Sequence, residues 1–224
     1  MEELGSIHQL IVPFFGHEMT FNLQPIIYTW IVIVGLLGFG YLTARRRSLV
    51  PGPVQTIGEL FINQFYRLTE DALEPELSRK YAPMITALFI FLLFGNWLGV
   101  LPHLGEPTSD LNTTLSLGLM GFVISHYAGI RKKGLKRYLK GYCEPLFFML
   151  PLNIIGELAK VISISFRLFG NIMGGDIIVL VVTYLVFSLV LPPFLNAFFF
   201  IFIGAIQAFV FTMLTLVYIS VQVN

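Results

Sequence analysis

The feature that most restricts this chain is an apolar run with no proline between Leu152 and Leu191. A continuous helix from Met149 to Leu191 measures roughly 60 Å at 1.5 Å per residue. The hydrocarbon core of a bilayer is about 30 Å thick. Such a helix either tilts severely or reaches well beyond the membrane. The rest of the chain fits a lipid environment. Charged residues make up 12% of the 224 positions, half the roughly 25% typical of a soluble domain, and mean hydropathy is +0.79. Apolar dominance excludes disorder. Barrel strands are excluded because the apolar segments do not alternate with polar residues. The expected fold is an all-α integral membrane protein.

A first span covers about 25–43 and ends at Arg45-Arg46-Arg47, a cytoplasmic anchor under the positive-inside rule. The N-terminal segment 1–24, with Glu2, Glu3 and Glu18, is then outside. Its start lacks the basic region of a signal peptide, so the chain is read as mature protein. Pro51-Gly52-Pro53 breaks the chain, and Pro53 is placed to open a helix. Over 54–73, Val54, Ile57, Phe61, Phe65, Leu68 and Ala72 recur at helical spacing, with polar residues between them. That pattern predicts an amphipathic helix on the cytoplasmic surface. A second span follows at 83–101, then an outer loop at 102–112 with Glu106, Asp110 and no lysine or arginine. The third span, 113–130, returns to a basic cytoplasmic loop at 131–145. Six of the fourteen basic residues fall between Arg131 and Lys140. The long helix occupies 146–191, Pro192-Pro193 turns the chain, and the last helix runs over 194–222. Five crossings place the C-terminus in the cytoplasm. The whole chain, 1–224, is one membrane domain without internal repeats.

The long span carries Asn153, Glu157, Lys160, Arg167 and Asn171, with Ile164 completing the row. At 100° per residue they lie within roughly 80° of one another. A charge at mid-bilayer costs at least about 2.5–3.5 kcal/mol. Lys160 has a bland account, snorkelling toward the surface or pairing with Glu157 at i, i+3. Arg167 does not, since it lies 18 residues past the start of the span and 24 before its end. Beside this stripe, Gly156, Ser163, Gly170 and Gly174 form a ridge of small side chains. Such a ridge serves either packing within the subunit or the close approach of a partner helix. In the last helix Asn196, Gln207 and Tyr218 are spaced eleven apart and share one face on an ideal wheel. Gln207 fits either interhelical glue or a link in a water-lined path. Asp176 points roughly 140° away from the Arg167 stripe, which suits a separate aqueous entrance.

No enzyme constellation is present: no HExxH, no GxSxG, no phosphate-binding glycine loop. Ser125 and His126 are adjacent, and adjacent helical residues do not face each other. The single cysteine, Cys143, excludes an intrachain disulfide and a cysteine metal cage. The four histidines are dispersed, and neither metal nor cofactor is expected. A net charge of +1 offers no nucleic-acid surface.

Phe166-Arg167-Leu168-Phe169-Gly170-Asn171 followed by Gly175-Asp176 resembles the signature of subunit a of the F-type ATP synthase, in its bacterial and chloroplast style. Ile206-Gln207-Ala208-Phe209, Leu216-Val217-Tyr218 and Pro107 to Thr114 are similar to further motifs of that family, as is Pro51-Gly52-Pro53-Val54-Gln55. The resemblance covers roughly 23–222. It implies a membrane stator that conducts protons between two offset half-channels and a rotating c-ring. The resemblance further implies a non-catalytic subunit of the complex, in a bacterial inner membrane, held beside peripheral stalk subunit b. The last two crossings would form a long, strongly tilted hairpin facing the ring. Arg167 then faces the ring carboxylate. Asn171, Asp176 and Gln207 match the outer proton path and Ser163 the inner one. Glu157 falls where relatives often carry an acid, and Asp110 and Asn112 lie in the outer-mouth motif. Lys160 and Tyr218 are additional candidates. Some members place a histidine where this chain has Phe200. The outer path then relies on Asp176, Gln207, water or another group such as His103.

The chemistry asks for these residue types. A guanidinium stays charged at any relevant pH, so it favours the ionised form of an approaching carboxylic acid. Lysine would keep the sign but not the planar fork. One charge falling through 100 mV yields about 2.3 kcal/mol, so several steps serve each ATP. The alternative reading is a self-contained secondary transporter or channel with Arg167 as counter-ion. That architecture calls for repeats or broken helices at the midplane.

Overall fold

The computed structural model describes residues 9–14, 17–45, 52–101, 104–143, 147–186 and 190–223. Among these residues are five helices long and apolar enough to cross a membrane. The first is preceded by an antiparallel hairpin, β1 (Gln9–Phe14) and β2 (His17–Asn22), with Phe14 opposite His17 and Gln9 opposite Asn22. The all-helical membrane class stands, and this hairpin is a small addition at its edge. Its sequence signal is weak, because Pro13 interrupts the β-branched run Ile11-Val12.

Helix α1 (Leu23–Arg45) is apolar all round and barely packed. Trp30, Val34, Leu37 and Leu42 are exposed and Val32 is buried, as expected of a lipid-facing span. Helix α2 (Pro53–Ala72) opens with Pro53 at its first position after Gly52, where the missing N–H costs nothing. Its apolar stripe meets α3 (Pro75–Trp97): the Phe65 and Phe89 rings lie 4.4 Å apart and those of Phe61 and Phe89 6.0 Å. Helix α3 begins eight residues before the expected start at 83 and carries Pro83 in its interior. Pro75 supplies the better N-terminal signal, and packing tolerates the internal proline.

A 3-10 turn at Pro107–Ser109 leads into α4 (Leu111–Lys133). Asp110 caps α4 by accepting from the Asn112 backbone N–H at 2.7 Å. Gly134, at φ 79°, ends it, a conformation that favours glycine. The basic segment after it is not a plain loop, since α5 (Leu135–Cys143) occupies most of it. Helix α6 (Leu150–Val186) is the expected long helix at 37 residues, about 55 Å by its rise. Pro192 and Pro193 fall inside the first turn of α7 (Leu191–Ala197) instead of before it, the position where proline is tolerated. A π-helical segment, Phe198–Ile203, then joins α7 to α8 (Gly204–Val223).

The core lies between α2, α3, α4, α6 and α8, around Ile85, Leu92, Ile164, Leu168, Ile172, Phe211, Leu216 and Ile219. Helix α4 approaches closely because its buried face is small: Gly118, Gly121, Ser125, Ala128 and Gly129. A Cβ added at Gly121 would meet Thr215 at 3.2 Å, and one at Gly129 would meet the Gln222 carbonyl at 2.8 Å. At one end Lys132 pairs with Glu74 at 2.6 Å and the Ser220 hydroxyl donates to the Ala72 carbonyl. This end, with Arg131 to Lys140, is the basic end. The opposite end carries Glu106, Asp110 and Asp176.

Candidate functional site

The geometry centres on α6. Its buried face, Ile164, Leu168 and Ile172, packs into the core. Around the helix from it, Gly156, Ser163, Arg167, Gly170 and Asn171 are exposed. A Cβ at Gly156, Gly170 or Gly174 would meet nothing within 4 Å. The small ridge on α6 is therefore not used for packing within the described chain; the ridge on α4 does that work. Arg167 makes no ion pair or hydrogen bond with another described residue. The stripe read off the helical wheel does not face one environment along its length. Asn153, Glu157 and Lys160 turn toward α5 and α8, Ile164 is buried, and Arg167 and Asn171 are open. A wheel assumes identical neighbours at every level, and those of α6 change from end to end.

Toward the basic end, a cavity of about 420 Å³ is lined by Arg137, Tyr138, Tyr142, Asn153, Glu157, Lys160 and Gln222. Lys160 donates to Glu157 at 2.7 Å, the i, i+3 pair, and stands 5.7 Å over the Tyr218 ring. Gln222 donates to Glu157 at 3.1 Å and accepts from the Tyr138 hydroxyl at 2.7 Å. Tyr142 stands 3.1 Å from Tyr138 and 3.2 Å from His126 Nε2. Burial, with the Tyr142 hydrogen bond adding, pushes the Tyr138 phenol above its usual value, so it remains a neutral link in this network. Gln222, Tyr138 and Tyr142 were not expected as site residues: their type is unremarkable, and only the docking of α5 against α8 brings them to Glu157. Ser125 Oγ lies 3.4 Å from His126 Nδ1, closer than adjacency on a helix suggests. His126 Nδ1 is also 3.0 Å from the Phe122 carbonyl, which requires the proton on that nitrogen. It is thus no base toward Ser125.

Toward the acidic end, a second cavity of about 470 Å³ is lined by Tyr28, Glu106, Ser109, Asp176, Thr183, Asn196 and Phe200. Asp176 opens into this space, away from Arg167, as its wheel position predicts. Phe200 is a buried wall. Glu106 is 3% exposed. Burial, with the like charge of Asp176 adding, pushes its carboxyl up to about 8. Asn96 braces this end. It accepts from the Thr108 hydroxyl at 2.7 Å and donates to the Gly204 carbonyl at 2.8 Å. Trp97 Nε1 donates to the Ile201 carbonyl at 3.2 Å. Ile201 lies within the π-helical segment and Gly204 adjoins it, where backbone pairing is irregular and side-chain donors compensate.

The remaining expected residues separate. Asp110 holds Asn22 at 3.0 Å and caps α4. Asn112 is exposed on that first turn. Gln207 is half-buried and lines neither cavity. The π segment between Asn196 and Gln207 shifts the register an ideal α-helix gives them, so Asn196 reaches the acidic-end cavity without Gln207. His103 lies outside the described residues. Among the described residues no group of three histidine, cysteine, aspartate or glutamate side chains is placed to hold a metal ion.

The described residues thus form a polytopic helical membrane protein with two polar cavities toward opposite ends of one long helix and, between them, a guanidinium that pairs with no described residue. Residues 26–220 match the family model described as ATP synthase A chain. The chain is 38% identical over 207 residues to ATP synthase subunit a of Moorella thermoacetica, covering 89% of this chain and 93% of that relative. It is 36% identical to that of Acidothermus cellulolyticus over 89% of this chain and 76% of the relative. It is 33% identical to that of Helicobacter pylori over 94% and 93%. The chain belongs to the ATP synthase A chain family.

Proposed function

We propose that this chain is the membrane stator of an F-type ATP synthase, passing protons to and from a c-ring carboxylate through two offset half-channels. The observation that carries the reading is the open face of α6, where exposed Arg167 lies between the two cavities without a partner among the described residues. Seven residues separate Lys160 from Arg167 and nine separate Arg167 from Asp176, about 10 Å and 14 Å along the axis. The two cavities share no lining residue, and a fixed positive charge between them opposes a proton leak. A carboxylic acid on a partner helix can approach across Gly156, Ser163 and Gly170, because small residues let helices close in lipid. Next to Arg167 it is favoured as the anion and releases its proton. Moved away, it takes up a proton from the other cavity before entering lipid, where a bare carboxylate is costly. Unequal proton potentials at the two cavities then set the direction.

In this reading the acidic-end cavity, with Asp176, is the outer half-channel, and Asn171 lies one turn from Arg167 on that side. The basic-end cavity, with Glu157, is the inner one; Ser163 does not line it and lies on the exposed face of α6 between it and Arg167. The basic clusters support a reading in which their end faces the cytoplasm of a bacterial cell, with the N-terminus outside and the C-terminus inside. The c-ring meets α6, and peripheral stalk subunit b holds the stator against rotation. Gln207, Asp110 and Asn112 act as supports of the path.

The test is ATP-driven proton pumping in membrane vesicles, with assembly followed by copurification of ring and soluble ATPase. Arg167→Ala is expected to abolish pumping in a fully assembled complex. Normal coupled pumping by that variant would overturn the assignment.

A further inference from the structure

We propose that Glu106 is a second proton-relay residue of the acidic-end cavity, loading from the medium and handing its proton to Asp176. The proposal rests on the half-channel reading above. Three observations carry it. Glu106 and Asp176 line the same cavity although they sit on separate elements, the turn before α4 and α6. Glu106 is 3% exposed, yet its carboxylate receives no ion pair or hydrogen bond from another described residue. A charge left buried in this way is costly unless it is neutralised, so the group is poised to hold a proton. Finally, Gly99 makes room for it: a Cβ at Gly99 would overlap the Glu106 carboxylate.

The transfer balances without another reactant. The Glu106 carboxylic acid gives its proton to the Asp176 carboxylate, directly or through cavity water, and becomes a carboxylate. It then takes a proton from water at the cavity mouth. The groups facing it are Asp176 of α6 and the Tyr28 phenol of α1, with Ser109, Thr183 and Asn196 as neutral partners. No lysine or arginine lines the cavity among the described residues, so nothing there fixes Glu106 as an anion. A carboxyl raised to about 8 is mostly protonated when the medium is at neutral pH and empties as the pH rises through that value.

The experiment measures proton-driven ATP synthesis by the whole complex in vesicles, with the pH on the acidic-end side varied. Arg167→Ala serves as control. Glu106→Gln keeps shape and hydrogen bonding but cannot relay. It is expected to lower the rate about tenfold, less than the roughly 10²–10⁴-fold of general acid–base catalysis because Asp176 can still load from cavity water, and to move the high-pH limb of the profile to lower pH. Glu106→Asp should restore most of the rate. Gly99→Ala, which displaces the carboxylate while leaving the acid in the sequence, should reproduce the shifted limb. If Glu106→Gln assembles and shows an unchanged rate and profile while Arg167→Ala is inactive, the relay is wrong and the half-channel reading survives. If Glu106→Gln fails to assemble, an unchanged profile in Gly99→Ala overturns the relay. If Arg167→Ala also works normally, the underlying reading fails instead.

Discussion

At the residue scale, polar side chains in this chain divide by whether they have partners. Lys160 has Glu157 and the Tyr218 ring; Asp110 has a helix N-terminus and Asn22. Asn96 is fully buried and satisfies both a hydroxyl and a backbone carbonyl. Arg167 and the Glu106 carboxylate stand apart, with no such partner among the described residues. The two groups differ in what the sequence reveals about them. A guanidinium far from either end of an apolar span is visible by position alone. Glu106 reads as an ordinary acid in a polar loop, because its burial comes from α1, α3 and α6 closing around it. Replacing Asn96 tests the structural class. Asn96→Ala removes the acceptor of the buried Thr108 hydroxyl and a second donor to the Gly204 carbonyl, a cost of about 1–3 kcal/mol. We expect a lower melting temperature of the purified complex in a thermal scan, with the pumping rate of the surviving complex retained.

At the element scale, two helices carry small-residue ridges and use them differently. The ridge of α4 is buried against α6 and α8, while that of α6 is open. Spacing cannot separate the two cases, since both have glycine and serine at helical intervals. Gly129→Val is expected to be severe, because its first added carbon already meets the Gln222 carbonyl at 2.8 Å. Overpacking of this kind costs about 1–3 kcal/mol or more. It should reduce the yield of assembled complex on a native gel. Gly156→Val meets open space in this chain. It should leave the subunit's thermal stability in detergent unchanged and impair only coupled pumping, where a partner helix has to pass. The π-helical segment Phe198–Ile203 belongs to this scale too. It alters the register of α7 against α8, and nothing in its run of phenylalanine and isoleucine announces it.

At the scale of the whole molecule, two cavities open at opposite ends and do not merge, which predicts sided chemistry. With Cys143→Ser as background, Thr183→Cys is expected to react with a membrane-impermeant maleimide only from the acidic-end side. Asn153→Cys should react only from the basic-end side, judged by mass shift in oriented vesicles. Labelling of both from one face would rule out two separate vestibules. The sequence by itself determined the membrane class, five candidate spans, an amphipathic helix after Pro53, the long proline-free helix and the position of Arg167 far from either end of it. These follow from hydropathy, proline placement and 3.6-residue periodicity, all properties of short stretches of chain. Tertiary structure decided the rest. It chose which small ridge stays open, gathered Tyr138, Tyr142 and Gln222 around Glu157, brought Asn196 but not Gln207 to the acidic-end cavity, and set Glu106 beside Asp176. Each of these depends on segments distant in the chain meeting at one level of the bundle, and no local pattern encodes which side chains a neighbouring helix will shield from water.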